Sequence, residues 1–365
     1  MSLAGILRHA ASSGHNVVVV PWAKSGMVDV RSLLAANKPV AGCIVECSDD
    51  RTDFPPRVFG STPVVYLHAM SSLYRGKGMR VISDNVAIAT AAFHELSAGN
   101  PDAFAVVAFA GRSEWSLARE RAFADLAGKS GKPYFRLLWK KEAKEQRAAL
   151  MAEWLSSLPR HTAIFAVNDE TAAEVAAAAR VAHRPIPREL TLLGVDNLTA
   201  ICEESSPSIS SIQLDHERAG YVAARMIADS GGFAVPSGIS SIGPIFTVRR
   251  DSTGGSGRRE QFILDAVEAI RREACEGLSV TALAARFRCS RRLFDLRFRE
   301  ATGHSVLDEI LHTRFERVLA LLSRPDFPIG AIADICGFGC QYELRKLFRK
   351  RYGCSMTRWR NDNAR

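Results

Sequence analysis

The chain has 365 residues and a formal net charge of +9, with 48 lysines and arginines against 39 acidic residues. This length exceeds what one hydrophobic core usually organises, so two or three domains are expected. The chain shows neither the basic start and apolar run of a secretory signal nor an apolar stretch of the roughly 18 to 20 residues that a membrane span needs. The eight cysteines lack framework spacing, which favours reduced thiols in a cytoplasmic protein.

The first part of the chain alternates short β-branched or apolar runs with alanine-rich helical stretches. This order is typical of a parallel sheet with helices on its faces, which binds ligands at the carboxyl ends of its strands. Strands are predicted over residues 16–20, 42–45, 64–66, 105–109, 134–138, 163–167 and 192–195. Helices are predicted over residues 86–96, 116–127, 140–158 and 170–181.

A domain boundary is predicted near residue 250. Residues 236–257 are rich in proline, glycine and serine, which is typical of a flexible tether. We therefore expect a first domain over residues 1–250, a linker over 251–258 and a second domain over 259–365.

The second domain contains a degenerate repeat. The motif Phe298-Arg299-x-x-x-Gly303-x-Ser305 returns fifty residues later as Phe348-Arg349-x-x-x-Gly353-x-Ser355. Ahead of each copy, Val280-x-x-Leu283-Ala284 corresponds to Ile329-x-x-Ile332-Ala333. Each unit therefore predicts a short helix, a turn and a longer basic helix, which is the helix-turn-helix plan of DNA-binding proteins. A long helix over residues 305–322 would hold the two units apart.

Most of the excess positive charge lies in the same part of the chain. Residues 258–365 hold 21 lysines and arginines against 14 acidic residues, whereas residues 1–257 hold 27 against 25. Such cations neutralise DNA phosphates, although a charged run is also typical of a plain solvated helix face.

The helical pattern separates a buried stripe from an outward face in each longer helix. The buried stripes are predicted to be Leu293, Phe294 and Phe298 in the first unit and Leu344, Leu347 and Phe348 in the second. The predicted DNA contacts are Arg291, Arg292, Asp295, Arg299, Gln341, Tyr342, Arg345, Lys346, Arg349 and Lys350. Glutamine suits adenine and arginine suits guanine, while Arg349 and Lys350 are better placed for phosphate.

The second unit carries a further signature. It reads Ile332-Ala333-x-x-Cys336-Gly337-Phe338, then Phe348-Arg349-Lys350-x-x-Gly353-x-Ser355 and Arg358-x-Arg360. Over residues 262–360 the chain resembles the arabinose-operon regulator (AraC/XylS) family of transcription factors, which implies an all-α domain with two helix-turn-helix units. The chain departs from the family at Met356, Arg288 and Glu343-Leu344, none of which removes a cap or a core position.

Three segments of the first domain end a predicted strand or precede a helix: Ser83-Asp84-Asn85, Val167-Asn168-Asp169 and Gly194-Val195-Asp196-Asn197. With the tail Val248-x-Arg250-x-Ser252-Thr253 they resemble the ligand-binding half of lactose-repressor-type regulators and periplasmic sugar-binding proteins. The run Trp115-x-x-x-Arg119-x-x-x-Phe123 resembles a helix of xylose-type operon regulators, which join such a sensor to an AraC-type domain. The implied fold is an α/β doubly wound sensor with two lobes, followed by the all-α domain.

The sensor resemblance implies that the effector contacts are Arg119, Asn168, Asp196 and Trp115. Sugar hydroxyls both donate and accept hydrogen bonds, and a guanidinium, an amide and a carboxylate together satisfy both roles. A structural alternative stands beside each assignment, because an aspartate at a strand end often caps the next helix and a tryptophan often belongs to the core.

The first strand of such sensors has no counterpart in the sequence. Residues 1–13 predict the helix that follows that strand, with Leu3, Ile6, Leu7 and Ala10 on one face. Either the true start lies upstream of Met1, which we favour, or the sensor is incomplete.

The sequence contains no Gly-x-Ser-x-Gly, glycine-rich phosphate loop, His-Glu-x-x-His or Pro-Cys-His-Arg motif, so we expect no enzyme. The close pairs Cys43/Cys47 and Cys336/Cys340 lack accompanying histidines, so no metal or other cofactor is expected. The leading hypothesis is a sequence-specific DNA-binding transcription regulator, expected to be an activator, that responds to a small sugar such as a pentose. The expected partners are a double-stranded DNA operator, a second copy in a homodimer and RNA polymerase, with no membrane. The alternative is a constitutive DNA-binding regulator with a vestigial sensor.

Overall fold

The computed structural model of the chain describes residues 2–21, 29–47, 54–68, 78–109, 113–137, 144–230, 238–254, 258–324 and 326–363. The chain forms two compact units. The first contains Met1–Val81, His216–Ser240 and Phe262–Arg365, and the second contains Ile82–Asp215 and Ser241–Gln261.

The strands belong to two sheets. In chain order they are β1 (Cys43–Glu46), β2 (Val64–Leu67), β3 (Met79–Ser83), β4 (Ala103–Val107), β5 (Tyr134–Leu137), β6 (Thr162–Ala166), β7 (Leu190–Val195), β8 (Ser210–Leu214), β9 (Ile239–Ile242) and β10 (Pro244–Val248).

Helices alternate with these strands and then make up the whole C-terminal third. The helices up to residue 229 are α1 (Ser2–Ser13), α2 (Val30–Ala36), α3 (Asn85–Ser97), α4 (Glu114–Lys129), α5 (Lys144–Ser157), α6 (Asp169–Val181), α7 (Thr199–Glu204) and α8 (His216–Asp229). Those that follow are α9 (Arg258–Glu273), α10 (Val280–Arg286), α11 (Arg291–Thr302), α12 (Val306–Leu322), α13 (Ile332–Ile335), α14 (Gln341–Tyr352) and α15 (Met356–Asn363).

The larger sheet has the order β10-β8-β7-β6-β4-β5, and only β10 runs antiparallel to its neighbour. Its two faces are both buried, as a parallel sheet requires. Phe104 and Val106 pack with Phe123 on one face, while Ala105 and Val107 belong to a separate apolar cluster on the other. The predicted doubly wound α/β fold is confirmed.

The smaller sheet has the order β1-β2-β3-β9, with β1, β2 and β3 parallel. Helix α8 covers β2, whose residues Val65, Tyr66 and Leu67 are fully buried. The predicted strand over residues 16–20 is wrong. These residues form no ladder, and Val18 and Val19 are 65% and 59% exposed. A β-branched run becomes a strand only where a partner edge takes up its backbone groups, and the described residues provide none here.

The flexible tether predicted over residues 236–257 is also wrong in its described part. Strands β9 and β10 occupy most of it, and Pro244 stands at the first position of its strand, where no donor is needed. The predicted linker opens with a 3-10 helix, Asp251–Thr253, whose Ser252 donates its backbone N–H to Ser208 and its hydroxyl to the carbonyl of Leu192. These residues are therefore part of the second unit.

The all-α domain forms around α12. Its start carries a capping box, since Ser305 and Asp308 each accept the other's backbone N–H. Phe315 and Val318 of α12 are buried against Phe348 of α14, in a cluster that also contains Ile332. The long helix predicted over residues 305–322 is therefore confirmed.

Within the first unit, α12 also contacts α1 and α8. Arg8 forms ion pairs with Glu217 at 3.3 Å and with Glu316 at 3.5 Å. The hydroxyl of Tyr221 donates to the backbone carbonyl of Glu316 at 3.0 Å, and Arg271 of α9 also reaches Glu217 at 3.3 Å. Helices α1 and α8 lie against each other so closely that a Cβ built on Gly5 would meet the carbonyl oxygen of Glu217 at 1.7 Å.

Candidate functional site

The predicted effector residues lie in the second unit, at the carboxyl ends of its parallel strands. Asn168 follows β6 and Asp196 follows β7, while Arg119 and Trp115 belong to α4, the helix after β4. Because parallel strands end at the same edge of a sheet, these four residues share one region of the fold.

Arg119 is almost completely buried, with 4% of its surface exposed. Its Nε donates to Oδ1 of Asn85 at 3.0 Å, and its Nη1 donates to the carbonyl of Val167 at 2.6 Å. Nη2 makes no hydrogen bond to a described residue. Burial lowers the pKa of Arg119, and the nearby carboxyl of Asp196 opposes that effect. The side chain is therefore fixed on one side and keeps a donor group for a ligand on the other.

Asp196 is held in an uncommon backbone conformation, with φ of 103°. Its N–H donates to Ile212 at 2.9 Å, yet its half-buried carboxylate makes no hydrogen bond or ion pair to any residue that the structure describes. Burial raises the pKa of Asp196 to about 7, Arg119 counteracts the rise, and Asp169 adds to it. This carboxylate has the free acceptor positions that a hydroxyl ligand needs.

Asn168 performs the structural role that the sequence left open. Its Oδ1 accepts the backbone N–H of Thr171 at 3.0 Å and so caps α6. The amide nitrogen has no partner in the described part of the chain, so its two donor hydrogens remain for a ligand. The cap uses only the oxygen of this side chain and leaves its amide nitrogen available.

Trp115 packs within the protein. Its ring stacks on Phe109 with centroids 5.8 Å apart, and the Arg119 guanidinium lies 4.9 Å from its centre. These contacts use ring surface that was expected to meet a sugar. Trp115 therefore helps to orient Arg119, and an effector would reach only the rest of the ring.

Two residues that hold the site together were missed among the predicted contacts, although both lie in quoted motifs. Asn85 positions Arg119, as described above. Asp169 is fully buried, and it accepts the hydroxyl of Ser211 at 2.6 Å and the N–H of Leu198 at 2.7 Å. Burial raises the pKa of Asp169 to about 6. The only sequence signal for these residues was a pair of polar residues at a strand end. Such a pair does not distinguish a residue that contacts the ligand from one that positions its neighbours.

The candidate nucleic-acid interface is formed by two helix-turn-helix units, α10–α11 and α13–α14. Ser290 accepts the N–H of Leu293 and so starts α11, and the Cys340 sulfur takes the same role for α14. Each longer helix ends at a left-handed glycine, Gly303 or Gly353, whose N–H returns to the arginine four residues earlier at 2.9 Å. The repeat in the sequence thus encodes two copies of one capped helix.

The outward faces of these helices are mostly as predicted. Arg291, Arg292 and Arg299 on α11 are exposed, as are Gln341, Tyr342, Arg345, Lys346, Arg349 and Lys350 on α14. Gln341 is partly engaged within the protein, since its Nε2 donates to Gly330 and its Oε1 accepts from Arg345.

Two assignments in the first unit change. Leu293 is 40% exposed and does not belong to the buried stripe, because Phe294 and Phe298 alone follow the four-residue spacing that faces the core. Asp295 is half-buried, and its carboxylate accepts the N–H of Val306 at 3.0 Å and Nη2 of Arg299 at 3.2 Å. In the structure it therefore joins α11 to the start of α12.

Comparisons with known proteins agree with this architecture. Residues 83–253 match the family model of the periplasmic binding protein-like domain, and residues 283–362 match that of a helix-turn-helix domain. The xylose operon regulatory protein of Escherichia coli (strain K12) is 26% identical over 292 residues, which cover 78% of this chain and 74% of that protein. The protein of the same name in Haemophilus influenzae is 27% identical over 280 residues, or 74% and 72% of the two chains.

Solved structures extend the likeness of fold. A xylose-binding transcription activator matches with a TM-score of 0.58 and 21% identity, covering 100% of this chain and 94% of the other. A periplasmic binding ribose operon repressor protein from Lactobacillus acidophilus matches with a TM-score of 0.51 and 25% identity over 70% of this chain and 92% of that one. The similar curated proteins are named as regulators and not as enzymes. Among the described helices, none is both long and apolar enough to span a membrane.

Proposed function

We propose that this protein is a sequence-specific DNA-binding transcription regulator controlled by a small sugar. Its sequence matches a periplasmic binding protein-like domain followed by a helix-turn-helix domain. The observation that carries the proposal is the pair of unsatisfied groups at the strand ends of the sensor. Nη2 of Arg119 and the carboxylate of Asp196 make no hydrogen bond to a described residue, so one donor and one acceptor are available in the same region. Vicinal hydroxyls of a sugar match such a pair.

We assign the effector contacts to Arg119, Asn168 and Asp196, with Trp115 at the margin. A pentose is the proposed effector because the related curated proteins are named for xylose. Activation is proposed because a protein of the same fold is a xylose-binding transcription activator, and RNA polymerase would then be a partner. A homodimer that binds two DNA sites completes the proposal. Its sensor is proposed to extend to residue 254, because Asp251–Thr253 belongs to the second unit, and its DNA-binding domain to span residues 259–365, as expected from the sequence.

The DNA contacts proposed are the exposed residues of α11 and α14. Gln341 and Arg345 lie in the first two turns of α14, the part of a recognition helix that meets base edges. Arg349 and Lys350 lie in its last turn and suit phosphates. For Asp295 the support is weaker, because its carboxylate already has two partners within the protein.

A thermal-shift screen of the full chain against pentoses, hexoses and their phosphates tests the proposal. A sugar at about 100 times its Kd should stabilise the sensor by roughly 2.7 kcal/mol. Asp196→Ala should abolish the shift, while Asp125→Ala, which removes an exposed carboxylate from the far part of α4, should leave it unchanged. If no sugar shifts the protein although it binds DNA, the alternative of a vestigial sensor replaces this proposal.

A further inference from the structure

Two cysteines lie where the helix-turn-helix units contact each other. Cys275 belongs to the 3-10 helix Ala274–Glu276, which joins α9 to α10, and Cys336 is the residue that ends α13. The backbones of the two segments touch, since a Cβ built on Gly337 would lie 2.8 Å from the carbonyl oxygen of Cys275. The cysteines are 61 positions apart in the sequence, yet folding brings the segments that carry them into contact.

The surroundings make the two thiols chemically different. Hydrogen bonding with Cys336 lowers the pKa of Cys275 against the effect of desolvation, and Arg317 and Arg314 lower it further. Arg314 is fixed there, because its Nε donates to Ala274 at 2.8 Å and its Nη2 to Leu278 at 3.0 Å. The same thiol contact and burial raise the pKa of Cys336. Of the two residues, Cys275 is therefore the one in which the thiolate, the reactive form of cysteine, is more favoured.

The two cysteines also differ in solvent exposure, and Cys275 is again the one that favours reaction. Cys275 is partly exposed and lines an open cavity of about 760 Å³, together with Arg291 and Leu307. Cys336 is completely buried within the apolar cluster around Phe315. A small reagent that enters the cavity can thus reach Cys275, whereas the buried Cys336 is not accessible to it.

We propose that Cys275 and Cys336 form a site of reversible covalent oxidation, at which a hydroperoxide reacts with Cys275 and Cys336 completes an intramolecular disulfide. The Cys275 thiolate attacks the O–O bond, so an S–O bond forms and the alkoxide or hydroxide leaves and is protonated. The Cys336 sulfur then attacks the sulfenic sulfur, an S–S bond forms, and hydroxide leaves with the Cys336 proton as water. Overall, two thiols give two electrons and two protons to one hydroperoxide, which yields a disulfide, an alcohol or water, and a further water.

The bond would join the turn ahead of the first DNA-reading unit to the turn inside the second. Because those segments already touch, the oxidised domain keeps its fold and gains a covalent link between its units. The chain-entropy effect of closing the intervening loop favours the folded state.

Mass spectrometry of the full-length protein tests the proposal. The reduced protein is treated with hydrogen peroxide, quenched, denatured, alkylated and digested with trypsin. Residues 273–286 should appear disulfide-linked to the peptide that carries Cys336, and dithiothreitol should release both. Trypsin leaves Cys336 and Cys340 on one peptide, so the same digest of Cys340→Ser identifies which cysteine is bonded.

Single variants separate the two steps. Cys336→Ala should accumulate a sulfenic acid on Cys275 that dimedone traps, whereas Cys275→Ser should leave Cys336 fully alkylatable. Loss of the link in Cys340→Ser, or oxidation of Cys336 by peroxide in Cys275→Ser, would overturn the proposal. So would unmodified Cys275 in peroxide-treated wild-type protein, a result that does not depend on any variant folding.

Discussion

At the scale of single residues, Asp196 and Asn197 are two consecutive residues with positive φ, 103° and 51°. Such conformations cost of order 1–3 kcal/mol each and persist only where the surroundings enforce them. Ser211 accepts the N–H of Asn197 at 3.0 Å, and Arg250 donates to its Oδ1 at 2.8 Å. Strained backbone supported in this way is typical of a binding site.

The titration of Asp196 makes a prediction for effector binding. Its pKa of about 7 means that the carboxyl is mainly protonated at pH 6 and mainly ionised at pH 8. Because sugar hydroxyls donate better to a carboxylate, the Kd of the effector should become about tenfold tighter from pH 6 to pH 8. Isothermal titration calorimetry at both pH values measures this change.

The same group predicts the opposite trend for the sensor without its effector. Its folded pKa of about 7 exceeds the ordinary value of 3.8, so the folded state binds the proton more tightly. The free energy of unfolding should therefore fall as the pH rises from about 4 to about 7. Asp196→Asn should weaken both trends, and equal pH profiles for the variant and the parent would contradict them.

Two arginines of the recognition helix α14 are expected to affect DNA binding in different ways when they are replaced. Arg345→Ala should cost about 1–3 kcal/mol on the operator and little on random duplex, because it removes a base contact. Arg349→Ala should weaken both duplexes alike and reduce the salt slope by about one, because it removes a phosphate contact. Fluorescence anisotropy at several salt concentrations measures both, and the exposed Arg180→Ala in the sensor is the control. Equal losses on the two duplexes for Arg345→Ala would reject its assignment.

At the scale of elements, the two helix-turn-helix turns differ at one equivalent position. Arg288 adopts φ of 49° in the first turn, and Gly337 adopts 71° in the second. Only glycine takes such a conformation without a steric penalty. The departure from the family pattern seen in the sequence is therefore a strained arginine.

Gly337 meets a second constraint that comes from packing. Gly337→Ala should lower the free energy of unfolding by more than the roughly 1–2 kcal/mol that a left-handed alanine costs, because its Cβ would also strike Cys275. Gly303→Ala is the matched control, since φ there is 80° but no atom lies within 4 Å. Urea denaturation compares them, and equal losses would show that the contact with Cys275 is unimportant.

At the scale of the whole chain, a regulator must connect its effector domain to its DNA-binding domain. Within the first unit, Arg8 of α1 bridges Glu217 of α8 and Glu316 of α12. The Arg8 guanidinium also lies 4.7 Å from the centre of the Tyr221 ring. A displacement of α1 or α8 would therefore change the contacts of α12, the helix that separates the two helix-turn-helix units.

The ion pair between Arg8 and Glu316 predicts a variant in which the effector no longer changes operator affinity as strongly. Arg8→Ala should keep effector affinity and operator affinity near the parent values but reduce the change in operator affinity that the effector causes, because the bridge to Glu316 is lost. Operator titrations with and without sugar measure this coupling, and the exposed Arg121→Ala is the control. An unchanged coupling factor in Arg8→Ala would place the connection elsewhere.

Patterns of short range were readable directly from the sequence. The capped helices α11 and α14, the strands β4, β5, β6 and β7 of the larger sheet and the surplus of arginine follow from local periodicity, turn residues and charge, so each was predicted within a few residues. Strand β8 was not predicted, although it is buried. Arg119 and Asp196 were assigned because the short segments that contain them resemble those of lactose-repressor-type and xylose-type regulators, which is also a local signal.

Only the tertiary structure decided what depends on a partner distant in the sequence. Residues 16–20 have the composition of a strand but pair with no strand in the described part of the chain, whereas β9 and β10 have the composition of a tether and pair with neighbouring strands. Asp295 looks like an outward residue but accepts the N–H of Val306, and Cys275 meets Cys336 across two turns. Pairing, burial and contact are relations between segments, so composition and periodicity within one segment do not determine them.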